Sequence, residues 1–309
     1  MRALFWCPWP NADEWLALLR QKGPELEFLT WPEIDAPGTI EAAIVWQPPA
    51  GLFERLSGRR CILVLGAGVD HLLAPGMRLP DVPLVRIADP VMAERMASWV
   101  LAAVLFGHRQ LDVYARQQGE RSWHRHVARD TTDVRIGIMG LGAMGRVTAS
   151  RLAQVGYRVA GWSRTPKALA GIEGFTGSRD WPAFLARSDF LICLLPLTPE
   201  TRGILNARTF AALPEGAFVI NAGRGGHLIE SDLRSALDDG HLSGAVLDVF
   251  EEEPLPAEHP LWAHPKVLIT PHIASITNPK TGAEQIIAAM RAIRRGEMPP
   301  NTVDRRHRY

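Results

Sequence analysis

The chain has 309 residues, 47% apolar and 22% charged, which is enough for about two globular domains of roughly 150 residues each. Lys and Arg number 34 against 33 Asp and Glu, so the net charge of +1 creates no overall field that would favour nucleic acid or an anionic membrane. We therefore expect a small-molecule partner, with no nucleic acid and no membrane.

The cysteine count and the apolar runs bear on the cellular compartment. Three cysteines, an odd number set in apolar runs, favour reduced thiols over a disulfide framework. The N-terminal stretch meets Pro8 and Pro10 too early for a signal peptide. The longest apolar run, residues 99–106, is too short to cross a bilayer. Together these features predict a cytoplasmic protein.

The first part of the chain alternates short apolar runs with helical or turn-rich stretches. The runs RALFWC, LEFL, AAIVW, CILVL and PLVRI have the length and composition of strands. Residues 91–116 carry apolar side chains at helical spacing, which predicts one long linking helix. The polar stretch RQQGERSWHRHVARDTTD follows, and we interpret it as the crossing between two domains. Its His124 and His126 have no further ligand cluster near them, so no metal site is expected.

A second series of strands begins after this crossing, with VRIGIM, RVAGW, FLICLL, AFVIN, GAVLDV and KVLIT. Near-continuous apolar strands that alternate with helices indicate a parallel sheet covered on both faces. A last helix is expected over 279–295, followed by the basic tail DRRHRY as a solvated or subunit-contacting end. The intervening helices are predicted near 143–155, 181–187, 206–212 and 230–239.

A glycine motif opens the second series. Gly140, Gly142 and Gly145 form G-x-G-x-x-G directly after a strand and at the start of a helix. The first glycine permits a tight turn, the second lets a pyrophosphate approach, and the third packs the helix on the strand. Amides at the helix start, where Ala143 and Met144 lie, would hold the phosphates. The motif predicts a dinucleotide site, the alternative being only a tight strand–helix turn.

The end of the next strand indicates which dinucleotide is bound. NAD-binding proteins place an acid there for the ribose 2′-hydroxyl, whereas this chain has Ser163, Arg164, Thr165 and Lys167. We therefore expect NADP(H), with NAD(H) as the weaker ligand. The alternative is that Arg164 is only a surface charge and that either cofactor is accepted.

Three chemically active groups follow later strands: Arg224 after FVIN, the acids of LDVFEEEP, and His272 in TPHIAS. Carboxyl ends of parallel strands share one edge, where ligands bind. Hydride transfer to an α-keto acid needs a cation for the carboxylate and the developing charge, and an acid to protonate the alkoxide. Arginine suits the first task, and histidine oriented by a carboxylate suits the second.

The sequence resembles the D-isomer-specific 2-hydroxyacid dehydrogenases, most closely their glyoxylate/hydroxypyruvate reductase A-like branch, over nearly the whole chain. The motifs that carry the resemblance are LGAGVD, GIMGLGAMG, LLPLTPETRGIL, INAGRG, LDVFEEEPLP, LWAHPKVLITPHIA and VDRRHRY. The resemblance implies an α/β fold with two Rossmann-like, doubly wound parallel-sheet domains. The substrate domain would be discontinuous, comprising 1–90 and 279–309, and 91–278 would bind the dinucleotide. A homodimer built around the dinucleotide-binding domain is also implied.

The resemblance assigns the catalytic roles to Arg224, Glu253 and His272. Glu251 and Glu252 are alternatives to Glu253, which is chosen because it directly precedes a proline and matches the family pattern. Further implied contacts lie on the cofactor and on the substrate. On the cofactor they are Leu195, Pro196, Ala222 and Asp248, the last beside the nicotinamide carboxamide, with a turn cap as the alternative role of Asp248. Around the substrate they are Arg224, the amides of Ala67, Gly68 and Val69, and Trp46 as a pocket wall, the alternative being that Trp46 is a core residue.

The implied reaction is NADPH-dependent reduction of a small 2-keto acid, glyoxylate to glycolate or hydroxypyruvate to D-glycerate, with His272 as proton donor. One alternative is a reductase of larger 2-keto acids such as phenylpyruvate. Another, of a different class, is a non-catalytic NADP(H)-binding sensor or corepressor. The presence of Arg224, Glu253 and His272 together favours an enzyme.

Overall fold

The computed structural model describes residues 1–32, 36–56, 58, 60–73 and 76–305. The chain divides into two compact units, Met1–Asp89 with Thr277–Tyr309, and Pro90–Ile276. Each unit contains a parallel sheet with helices packed on it, so the predicted fold class is confirmed. The sequence analysis placed the domain boundaries at 90/91 and 278/279, one and two residues further along the chain. Residues 306–309 of the basic tail lie outside the described residues.

The described residues form strands and α-helices in both units. The strands are β1 Arg2–Trp6, β2 Glu27–Thr30, β3 Ile40–Val45, β4 Cys61–Val64, β5 Leu84–Val85, β6 Arg135–Met139, β7 Arg158–Ser163, β8 Glu173–Thr176, β9 Phe190–Cys193, β10 Ala217–Asn221, β11 Leu242–Leu247 and β12 Val267–Ile269. The helices are α1 Ala12–Lys22, α2 Pro90–His108, α3 Leu111–Glu120, α4 Ala143–Gln154, α5 Trp181–Ala186, α6 Ala207–Ala211, α7 Glu230–Asp238 and α8 Pro279–Arg294.

The first unit has strand order β2-β1-β3-β4-β5, and its core is completed by the end of the chain. Helix α8 packs on α1, whose Trp15 and Leu19 are fully buried. A Cβ on Gly282 would overlap the Trp15 ring, so glycine lets the two helices approach closely. Ion pairs join the same two segments. They are Lys22 with Glu284, at 2.6 Å, and Arg291 with Glu25, at 2.8 Å.

The second unit has strand order β12-β11-β10-β9-β6-β7-β8, with every described pairing parallel. The chain winds outward from β6 to β8 and then returns to β9 on the other side of β6. Strand order therefore reverses between β6 and β9. In open parallel sheets, ligands bind at the carboxyl edge beside such a reversal.

The prediction of one helix over 91–116 is wrong, because two helices occupy this region. Gln110 separates them with a φ of +52°, which cannot continue a right-handed helix. Helix α2 packs on the sheet, and a Cβ on Gly107 would lie 2.9 Å from the Phe218 ring. Helix α3, all of whose residues are described, buries none of its side chains. The break therefore occurs where packing on the sheet ends.

Helix α2 is 19 residues long, with a mean hydropathy of 1.2 over its most apolar window. By length and composition alone it could cross a membrane, although the apolar run noted in the sequence is shorter. In the structure its buried side chains join the core formed by β6, β9 and β10. They include Met96, Val100, Ala103 and Val104. This is the environment of a core helix in an α/β domain.

Candidate active site

The glycine motif forms a cradle after β6. Gly140 has a φ of +101°, which L residues rarely adopt, and a Cβ there would lie 2.8 Å from the carbonyl oxygen of Leu194. A Cβ on Gly145 would overlap the carbonyl oxygen of Gly140. By contrast, a Cβ on Gly142 would meet no atom within 4 Å. The first and third glycines are thus required by packing, and the second borders open space.

The start of α4 faces this cradle with its free amides. Gly142 is the N-cap residue, and among the described residues no side chain caps the helix and no acid stands in its first turn. Ala143 is exposed and Met144 half-buried at the same place. Unsatisfied amides and the positive end of the helix dipole attract phosphate. The cradle therefore fits the pyrophosphate of a dinucleotide.

The end of β7 carries cationic rather than acidic groups. Ser163 is buried, and its hydroxyl donates to the carbonyl oxygen of Thr165 at 2.7 Å, which turns the chain. Arg164, Thr165 and Lys167 are exposed beyond it. An acid that would accept from a ribose 2′-hydroxyl is missing from residues 163–167. Guanidinium and ammonium groups there fit a 2′-phosphate.

Arg224 is presented by a loop that hydrogen-bonds to itself. Asn221, fully buried at the end of β10, donates from Nδ2 to the carbonyl oxygen of Arg224 at 3.0 Å. Its Oδ1 accepts from the Gly223 amide at 3.2 Å. The Arg224 Nη1 donates to the carbonyl oxygen of Gly223 at 2.7 Å. The half-buried guanidinium is therefore held by its own loop.

Glu253 and His272 form a hydrogen-bonded pair, with His272 Nδ1 2.7 Å from Glu253 Oε2. The other carboxylate oxygen accepts from the Phe250 amide at 2.9 Å. Within the described part of the chain no hydrogen bond occupies His272 Nε2, which leaves this nitrogen for a ligand. Glu251 instead pairs with Arg202 at 2.7 Å. The structure thus brings Glu253, rather than Glu251, to the histidine.

The electrostatic environment of Glu253 keeps it ionised at neutral pH. Burial raises the pKa of Glu253, but hydrogen bonds from His272 and the Phe250 amide, with the charges of His272 and Arg224, bring that pKa below its usual value. The cation of Arg224 is thus close enough to act on the carboxylate. These three residues share the carboxyl edge of one sheet.

Asp248 organises the turn that carries His272. Its Oδ1 accepts from the Thr270 hydroxyl at 2.6 Å and from the Ile273 amide at 2.8 Å, and its Oδ2 accepts from the Ala274 amide at 2.9 Å. Its own carbonyl oxygen accepts from the His272 amide at 2.8 Å. His272 has a φ of +54°, a costly conformation for a non-glycine residue. Sequence reasoning placed Asp248 beside the cofactor, with a turn cap as the alternative, but could not predict which segment it would hold.

The remaining cofactor candidates lie in loops at the same edge. Leu195 is buried and Pro196 exposed after β9. Ala222 follows β10, and its amide donates to the carbonyl oxygen of Cys193 at 3.2 Å. Burial raises the pKa of Cys193 to about 12, so its thiol stays protonated. Within the described residues, no group of three or more His, Cys, Asp or Glu could hold a metal ion.

The substrate-side candidates belong to the first unit. Trp46 directly follows β3, and the loop 67–69 follows β4, so both lie at the carboxyl edge of that sheet. Trp46 is 9% exposed, with its ring centroid 4.9 Å from that of Trp9 and 4.6 Å from that of His71. A Cβ on Gly66 would overlap the Trp46 ring. Nothing in the sequence pattern indicated that Trp9 and His71 would pack against Trp46.

Two parallel-sheet units and a dinucleotide cradle beside an Arg, Glu and His cluster define a class of nucleotide-dependent dehydrogenases. Residues 101–274 match the family model for the NAD binding domain of D-isomer specific 2-hydroxyacid dehydrogenases. Glyoxylate/hydroxypyruvate reductase A from Serratia proteamaculans (strain 568) is 42% identical over 310 residues, covering 98% of each chain. The chain belongs to the D-isomer specific 2-hydroxyacid dehydrogenase family, and the resemblance noted in the sequence is confirmed.

Solved structures agree with this assignment. A D-isomer specific 2-hydroxyacid dehydrogenase from Xanthobacter autotrophicus Py2, in complex with NADPH and MES, is 43% identical with a TM-score of 0.93, covering 100% of this chain and 99% of that one. An NADPH-dependent glyoxylate/hydroxypyruvate reductase from Sinorhizobium meliloti, in complex with NADP and sulfate, is 37% identical with a TM-score of 0.93, at the same coverage.

The different surroundings of two motif glycines lead to a stability prediction. Gly145→Ala should lower the free energy of unfolding by about 1–3 kcal/mol, because its Cβ forces the Gly140 carbonyl to move. Gly142→Ala enters open space at a φ of −71° and should change that free energy by less than about 0.5 kcal/mol. Urea unfolding without ligand, followed by circular dichroism, measures both. Equal stabilities of the two variants would contradict this account of the cradle.

Proposed function

We propose that this protein is an NADPH-dependent reductase of small 2-keto acids, converting glyoxylate to glycolate and hydroxypyruvate to D-glycerate. The observation that carries the proposal is the Glu253–His272 hydrogen bond of 2.7 Å beside Arg224, at the sheet edge that also bears the dinucleotide cradle. Relatives named glyoxylate/hydroxypyruvate reductase A support the same activity.

NADP(H) fits the residues that the chain offers. The cradle of Gly140, Gly142 and Gly145 and the amides of α4 would hold the pyrophosphate, and Arg164 and Lys167 the 2′-phosphate. Ser163, Thr165, Leu195, Pro196, Ala222 and Asp248 complete the proposed cofactor contacts. When bound, NADPH supplies the hydride. Two relatives of known structure are in complex with NADPH and with NADP.

The side chains divide the chemistry between binding and proton transfer. The planar fork of Arg224 binds the substrate carboxylate and polarises the keto group. His272 donates a proton from Nε2 to the carbonyl oxygen as the carbon accepts a hydride, and then regains a proton from solvent. Glu253, ionised and held by the Phe250 amide, orients the imidazole through Nδ1 and stabilises its protonated form.

The proposal extends to substrate contacts, assembly and compartment. Trp46 and the loop 67–69 enter it as expected substrate contacts of the first unit. A homodimer is supported by apolar side chains on the second unit that are open to solvent in the single chain, with Trp123 93% and Val127 96% exposed. A cytoplasmic location is supported by three free thiols, Cys7, Cys61 and Cys193.

The direct test is NADPH oxidation by the purified protein with glyoxylate, hydroxypyruvate, pyruvate and phenylpyruvate, each repeated with NADH. We expect the highest kcat/KM with glyoxylate or hydroxypyruvate and NADPH. Turnover confined to phenylpyruvate would move the activity to larger keto acids. Tight NADPH binding without turnover of any acid would support a non-catalytic NADP(H)-binding sensor instead of an enzyme.

If Arg224 binds the substrate carboxylate through its planar guanidinium group, a positive charge alone is insufficient for activity. Arg224→Lys should lower kcat/KM for glyoxylate on the order of 100-fold, because an ammonium group cannot reproduce two charge-assisted hydrogen bonds. Arg202→Lys is the control, since Arg202 is nearby but its side chain is 57% exposed and pairs with Glu251. Steady-state kinetics measure both variants. Near wild-type kcat/KM in Arg224→Lys would refute the role.

The cationic end of β7 predicts the cofactor preference. Arg164→Ser should reduce the ratio of kcat/KM for NADPH to that for NADH about tenfold or more, because a charge-assisted bond to the 2′-phosphate is lost. Arg158→Ser, at the other end of the same strand and with its side chain 63% exposed, should leave the ratio unchanged. An unchanged ratio in Arg164→Ser would assign the preference to other residues.

A further inference from the structure

A second histidine, His227, contacts the Arg224 loop and has no part in the chemistry described above. His227 ends the short 3₁₀ helix Gly225–His227 and is fully buried. Its Nδ1 accepts from the Arg224 amide at 3.0 Å, and its Nε2 lies 3.3 Å from the carbonyl oxygen of Pro196. An amide can only donate, so Nδ1 carries no proton in this arrangement. Nε2 is then the nitrogen that donates to Pro196.

The ring of His227 also lies against the peptide that holds the guanidinium. A Cβ on Gly223 would be 2.9 Å from His227 Nδ1, so only glycine leaves room for the ring. The carbonyl oxygen of the same glycine accepts from Arg224 Nη1 at 2.7 Å. His227 therefore bonds to the backbone of Arg224 and packs against the glycine whose carbonyl accepts from the Arg224 side chain.

The other end of the ring reaches the loop after β9. Pro196 follows the Leu194–Leu195 peptide, which lies against Gly140: a Cβ there would be 2.8 Å from the Leu194 oxygen. The contacts thus run from the dinucleotide cradle through this loop to His227, and from His227 to Arg224. A single buried side chain joins the cofactor edge to the substrate arginine.

We propose that His227 is a positioning residue that sets Arg224 for the substrate through Nδ1 and the loop at Pro196 for the cofactor through Nε2. It acts through these groups and does not touch the substrate. The inference rests on the proposed function. Its two halves are separable, because an asparagine amide oxygen can replace Nδ1 as acceptor, whereas a glutamine amide nitrogen can replace Nε2 as donor.

The experiment compares His227→Gln with His227→Asn. Loss of the Nδ1 acceptor in His227→Gln should raise the KM for glyoxylate about tenfold, with the Kd for NADPH changed less than about threefold. In His227→Asn the Kd for NADPH should rise by more than the KM for glyoxylate. Kd is measured from NADPH fluorescence, independently of turnover. The matched controls are His108→Gln and His108→Asn, since His108 is also buried and bridges Tyr157 and Arg129 at 2.8 Å each.

A purely structural role would lower Tm in all four variants and give no difference between the two His227 variants in either KM or Kd, and that result would overturn the inference. Should either His227 variant not fold, Gly223→Ala presses on the same ring and also on the Leu195 carbonyl oxygen of the cofactor loop, 3.2 Å away, so it should raise both the KM for glyoxylate and the Kd for NADPH. Unchanged values of both would overturn the inference. If the wild-type protein reduces no keto acid, the proposed function fails. The Kd values of the two His227 variants then still decide whether Nε2 orders the cofactor loop.

Discussion

The sheet edge that carries Arg224, Glu253 and His272 depends on backbone segments that pack against each other with no side chain between them. Gly145 lies directly on the Gly140 carbonyl, and a Cβ on Gly225 would overlap the peptide between Phe250 and Glu251. The second contact places the arginine loop on the loop that carries Glu253. Because peptide groups are stiff, these contacts fix the separation of charged groups better than side-chain packing alone could. Short, stiff connections are what a preorganised site requires.

Hydrogen bonds then divide two carboxylates between different tasks. Burial raises the pKa of Asp248, although the Thr270 hydroxyl and the amides of Ala274 and Ile273 favour its ionised form. Its bonds go to one turn, so its work is to shape the backbone around His272. Glu253 has its pKa lowered below the usual value and meets the imidazole itself. Asp248 therefore holds the loop, and Glu253 holds the imidazole ring of His272. Together they stabilise the left-handed backbone conformation of His272.

Much of this arrangement could be predicted from the sequence, because strand patterns and the glycine motif are local signals. The parallel sheets and the edge position of Arg224, Glu253 and His272 follow from them. The break at Gln110 could not be predicted, since neither proline nor glycine marks it and only the end of packing on the sheet requires it. Strand β8 is an edge strand with exposed or half-buried residues and carries no apolar run. Its pairing with β7 is a tertiary property.

Two of the interactions that the sequence could not predict are hydrogen bonds between a side chain and the backbone of a distant segment. His227 reaches Pro196 across 31 positions, and Asp248 reaches Ala274 across 26. Residue type predicts the capacity for such bonds but not the partner, because the partner is set by which loops meet at the sheet edge. A mechanism based on Arg224, Glu253 and His272 alone would therefore leave unexplained how three flexible side chains keep one geometry. The side chains of His227 and Asp248, which bond to backbone amides and carbonyls of these loops, provide that order, at the cost of burying polar groups that must all be satisfied.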